Sequence, residues 1–140
     1  AGADDAALAA LRAFGSPLGR AFQFRDDVLG VFGEPGLTGK PAGDDLREGK
    51  RTVLVAHALE LASETAKERL IGLLGSPELA AADVATAREI IVASGALAAT
   101  ERRIDADRAL ALDALKSAPL RAEAITALTT LAELSTSRSA

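Results

Sequence analysis

Asp26 and Asp27 stand side by side in a segment that is otherwise apolar, with Ala21, Phe22, Phe24, Val28, Leu29, Val31 and Phe32 around them. That spacing suits a helix packed on most of its sides. Carboxylates withdrawn from water are costly unless they are paired or bound to a cation, so this helix must pack in a way that gives both acids partners. Gln23, Asp26, Asp27 and Gly30 are related by steps of three or four and share one face. A polar face on an apolar helix points to a cavity that holds cations. The plainer alternative is a solvated acidic stripe on a surface helix, with Arg25 as its exposed partner.

Gly33-Glu34-Pro35-Gly36 breaks this helix. A loop follows in which Lys40, Arg47, Lys50 and Arg51 alternate with Gly39, Pro41, Gly43 and Gly49. Glycines let backbone amides approach an anion closely, and lysines supply point charges, so such a loop can wrap a phosphate. The acids beside it can hold a divalent ion that bridges to the same phosphate oxygens. An ordinary flexible connector is the alternative, and both readings hold for a lid that orders over Gly33 to Lys50 only on diphosphate. Asp44, Asp45 and Glu48 oppose the loop's basic charge, Asp45 as a partner within the site and Asp44 in solvent.

The chemistry open to the chain is narrow. It has no cysteine and one histidine, His57, which excludes disulfides, thiolate metal sites and a histidine zinc cluster. Any metal must be held by oxygen. His57 lies on an apolar helix with no accompanying base motif and reads as a core or boundary residue. A net charge of -4, with basic residues outside the loop interleaved with acids, gives no general attraction to nucleic acid or to an anionic membrane. No apolar run is long and uninterrupted enough to span a bilayer, and no leader is recognised, so a cytoplasmic protein is expected.

FQFRDDVLG followed by TGKPAGDDLREGKRT resembles the second aspartate-rich region of the trans-isoprenyl diphosphate synthases, the polyprenyl synthetase family that contains the farnesyl and geranylgeranyl diphosphate synthases. Phe22-Gln23, Asp26-Asp27, Gly39-Lys40-Pro41, Asp45-Leu46 and Gly49-Lys50-Arg51-Thr52 occur in the family's order and near its spacing. Ser94-Gly95-Ala96-Leu97 and the helices after it look like the family's C-terminal end. The resemblance covers essentially the whole chain, but only the C-terminal part of a full-length synthase.

The resemblance implies an all-α isoprenoid-synthase-type bundle, with residues 1–140 as a single helical domain. It also implies a transferase that condenses an allylic diphosphate with isopentenyl diphosphate, with geranylgeranyl diphosphate the favoured product. Mg2+ is the implied cofactor, with Asp26 as direct ligand and Asp27 beside it at the metal. Gln23, Asp27 and Asp45 would orient metal-bound water, and Lys40 and Lys50 would contact the diphosphate. Two departures stand out. The family's motif is DDxxD, and its third acid is here Gly30. The first aspartate-rich motif is missing, since Asp4-Asp5 lacks the arginines that follow it in the family and reads as a helix start. The chain is therefore expected to be inactive alone, either joined by a missing N-terminal half, forming a homo-oligomer, or serving as a non-catalytic partner. A terpene cyclase of similar fold is a weaker reading, because DDVLG does not resemble that group's second metal motif.

The remainder reads as helices. They run from Asp4 to a break at Gly15-Ser16-Pro17, where the helix kinks or a new one begins, then over Arg51 to Ala66, Asp83 to Ala93 and Gly95 to Leu115, with a last helix opened by Pro119. Lys67 to Leu74 continues the third or begins another, and Ser76-Pro77-Glu78 suits a helix start. Leu120, Ile125, Leu128, Leu131 and Leu134 are the packing candidates of the last helix.

Overall fold

The computed structural model describes residues 4–34, 36, 41 and 43–137. Among these residues all regular structure is helical, in seven elements, as the all-α expectation requires. They are α1 (Asp5–Phe32), α2 (Asp44–Arg47), α3 (Val53–Leu61), α4 (Glu64–Leu73), α5 (Ala81–Ala93), α6 (Ala96–Leu115) and α7 (Ala122–Thr136). The chain folds into two compact units, one of Ala1–Arg25 with Arg103–Arg138 and one built on Asp26–Arg102.

In the first unit, Asp4 accepts the Ala7 amide at 2.7 Å and so starts α1. Pro17 does not end the helix, which runs through it. Phe14 and Leu18 pack with Ala111 and Leu115 of α6 and Ala132 of α7, flanked by Leu120, Ile125 and Leu128. Leu131 and Leu134, expected to pack, are 52% and 64% exposed, while Ala132 and Thr136 are fully buried in their place. Small side chains let the helix approach closely, and their neighbours turn outward. Asp107 is buried and is forked by Arg20, with Nη2 at 2.7 Å from Oδ1. Arg25 donates from Nε to the Thr136 carbonyl oxygen at 3.0 Å, so it ties α1 to the C-terminal turn of α7.

The second unit contains the last turns of α1, with α3, α4 and α5 packed on one another. Val28, Val31, Leu46, Leu54, Val55, Leu70, Val84 and Ile91 are among its buried apolar side chains. The expected helix over Arg51 to Ala66 is divided. Thr52 caps α3 by accepting the Val55 amide at 3.2 Å, α3 stops at Leu61, and Ser63 caps α4 by accepting the Ala66 amide at 3.4 Å. α5 begins at Ala81, later than Ser76-Pro77-Glu78 suggests, with Asp83 accepting the Ala80 amide at 3.2 Å. His57 sits half-buried with Nδ1 3.4 Å from the Thr100 hydroxyl, a boundary position like the one expected of it. No helix among the described residues is long and apolar enough to cross a membrane.

Candidate metal-diphosphate site

Residues 43–50, ahead of α3, are tied down by backbone hydrogen bonds. Gly43 opens the short α2, and the amides of Leu46, Arg47, Glu48, Gly49 and Lys50 all donate to backbone carbonyls. Gly49 has φ +66°, and a Cβ there would lie 2.9 Å from the Gly75 Cα. Its glycine therefore serves a left-handed turn and close backbone packing. The Gly75 amide donates to the Leu46 carbonyl at 2.9 Å, and Arg47 donates to the Leu79 carbonyl at 3.2 Å. Arg47 thus braces the turn before α5. These bonds fix Asp45 and Lys50 against the end of α1.

The two aspartates of α1 part company, because neighbours on a helix project about 100° apart. Asp26 is exposed, and Asp27 is 3% exposed. Asp27 Oδ2 accepts the Val53 amide at 3.3 Å, placing a carboxylate at the N-terminal end of α3, where unpaired amides and the helix dipole favour it. Its other oxygen is 3.6 Å from Lys50 Nζ, an ion-pair distance beyond hydrogen-bond range. Asp45, 4% exposed, takes a hydrogen bond from the same ammonium at 3.1 Å. Partial burial alone would lower the Lys50 pKa. The Asp45 hydrogen bond and the charges of Asp45 and Asp27 outweigh it, so the ammonium is held above its ordinary range.

Gly30 explains how Asp45 reaches this place. A Cβ on Gly30 would meet the Asp45 carboxylate carbon and both oxygens, all within 2.7 Å. The position where the family motif carries its third acid is here the floor beneath a carboxylate delivered from α2. Nothing in the sequence links Gly30 to Asp45, fifteen residues on. Gln23, one turn before Asp27 on α1, is exposed. Lys40 lies outside the described residues, as does most of the segment from 35 to 42.

Among the described residues no three His, Cys, Asp or Glu side chains gather into a group able to hold a metal ion. Magnesium is commonly held by one or two carboxylates, with water and substrate phosphate completing its shell, and every donor here is a hard oxygen. Among the described residues, buried Asp27 and Asp45 thus face the Lys50 ammonium, and Asp26 on the same helix is exposed.

The sequence profile of the polyprenyl synthetase family matches residues 1–91, which include every residue of this site. The chain belongs to the polyprenyl synthetase family. It is 43% identical over 125 residues to the geranylgeranyl diphosphate synthase of Mycobacterium tuberculosis, covering 86% of this chain and 35% of that one. Its fold superposes with a TM-score of 0.94 and 42% identity on a geranylgeranyl pyrophosphate synthase from Corynebacterium glutamicum complexed with isoprenyl diphosphate and magnesium, covering 99% of this chain and 39% of that one. A polyprenyl synthase from Caulobacter crescentus complexed with calcium and isoprenyl diphosphate superposes with a TM-score of 0.85 at 39% identity, covering 42% of that chain. The chain thus spans well under half the length of these polyprenyl synthetases.

Proposed function

We propose that this chain supplies the second aspartate-rich half-site of an isoprenyl diphosphate synthase that joins an allylic diphosphate to isopentenyl diphosphate. The observation that carries the proposal is the placement of Asp27, Asp45 and Lys50 around one point beside exposed Asp26, on the segment matched to the family. Asp26 is the proposed direct ligand of Mg2+. Asp27, Gln23 and Asp45 orient the water around the ion, while Lys40 and Lys50 contact the diphosphate.

The difficult step is charge separation as the allylic carbon leaves its diphosphate. A bound divalent ion would neutralise the leaving group as a Lewis acid. The side chains named here supply carboxylates to hold the ion and orient its water, and ammonium groups to share the diphosphate charge. No serine or cysteine nucleophile takes part. Pyrophosphate itself is the proposed acceptor of the final proton, and geranylgeranyl diphosphate the favoured product.

The 140 residues contain no counterpart of the family's first aspartate motif, so the chain alone is proposed to lack prenyl transfer. Each 1.36 kcal/mol of transition-state stabilisation is worth about tenfold in rate, so losing one side of the metal cluster, worth several kcal/mol, removes about a thousandfold or more. Isothermal titration of pyrophosphate with and without Mg2+ tests the half-site, and incorporation of labelled isopentenyl diphosphate tests the activity. Asp26→Ala should weaken Mg2+-dependent pyrophosphate binding while helix content stays unchanged. Equal binding by variant and parent would remove Asp26 from the metal site, and robust turnover by the 140 residues alone would overturn their proposed inactivity.

A further inference from the structure

We propose that Lys50 is a resident cation of this site, paired with Asp27 and Asp45 in the metal-free protein, and that a divalent ion must displace its ammonium onto the diphosphate. The inference rests on the metal-diphosphate reading above and concerns how metal and diphosphate depend on one another.

Asp27 and Asp45 are more than nine-tenths buried, and both face the Lys50 ammonium, at 3.6 and 3.1 Å. Neither can turn freely to water. Asp27 is fastened through its second oxygen to the Val53 amide, and Asp45 rests in the space that Gly30 leaves open. The ammonium is the mobile member, because it ends a flexible four-carbon stem and its side chain is 44% exposed. A divalent ion on Asp26, with its water turned to these carboxylates, meets a positive charge already in place. Two like charges within a few ångströms repel strongly in a partly buried site, so ion and ammonium exclude one another. Metal alone must then break the Lys50 pairings with no compensation. Diphosphate offers the displaced ammonium a new partner, so each of the two ligands strengthens binding of the other, by the same factor in both directions.

The test titrates Mg2+ into the 140-residue chain, alone and with saturating pyrophosphate, for the parent, Lys50→Met and Lys50→Gln. Both variants should bind Mg2+ alone about fivefold to tenfold more tightly, the scale of a partly exposed charged hydrogen bond. The factor by which pyrophosphate strengthens Mg2+ binding should fall by a similar amount. Lys50→Gln keeps an amide donor for Asp45 and decides the matter if Lys50→Met does not fold. In the parent, acylation of Lys50 read by mass spectrometry should rise when Mg2+ alone saturates the site, relative to the exposed Lys116. Folded variants that bind Mg2+ no more tightly than the parent overturn the exchange, as does unchanged Lys50 acylation. If the parent still binds Mg2+ with pyrophosphate in that case, the half-site stands and only the exchange fails. Absence of Mg2+ binding by the parent even with pyrophosphate defeats both.

Discussion

Gly30→Ala should destabilise the protein, although alanine is the better helix former. In an exposed helix interior that exchange stabilises by about 0.5–1 kcal/mol. Gly15 and Gly19 of the same helix, where an added Cβ meets nothing within 4 Å, provide this baseline. At Gly30 the new methyl would overlap the Asp45 carboxylate, which is short, buried and bonded to Lys50. Swinging it away breaks a charged hydrogen bond worth about 1.5–3 kcal/mol when well shielded, a value lowered here because Lys50 is 44% exposed. An off-rotamer Asp45 adds about 0.5–1.5 kcal/mol. The sum is about 2–3 kcal/mol against a propensity gain of about 1, leaving a net loss of about 1–2 kcal/mol. Urea unfolding followed by circular dichroism, with Gly19→Ala alongside, separates the two signs. A Gly30→Ala variant as stable as Gly19→Ala, at unchanged urea dependence, would refute the reasoning and show that Asp45 does not depend on the missing Cβ.

Because the Lys50 pKa is raised above its ordinary 10.5, its pairing contributes in full below that pH and is lost as pH rises through the higher folded value. In metal-free buffer the urea midpoint of the parent should therefore exceed that of Lys50→Met up to pH 10.5, and the gap should close above it; a gap that persists would separate it from the ammonium. Arg20→Ala should lower the urea midpoint more than Asp107→Ala, since it strands a carboxylate 5% exposed whereas the reverse change leaves Arg20 47% exposed to water; equal losses would count against this asymmetry. Hydrogen exchange of the ligand-free chain should find the Leu46 to Lys50 amides slow, because each is bonded to backbone. Fast exchange there that slows with Mg2+ and pyrophosphate would instead restore a lid over this stretch.

The residues that carry local chemistry were readable from the chain itself. Helices at Ala81–Ala93 and Ala96–Leu115 follow from apolar periodicity ended by Gly95, whose φ is +82°, and the start of α1 follows from Asp4. Those effects act within a few residues of one another. Zero cysteines and one histidine restricted any metal to oxygen ligands, and the order of Phe22-Gln23, Asp26-Asp27 and Gly49-Lys50-Arg51-Thr52 marked the family. Tertiary structure alone decided what those groups touch. It sent Asp27 to the Val53 amide and Asp26 to the surface, made Gly30 the seat of Asp45, set Gly49 against Gly75, and buried Ala132 and Thr136 where Leu131 and Leu134 were expected. Each outcome depends on how near a distant backbone comes, and that distance is set by the summed packing of many side chains, a quantity that no local pattern encodes.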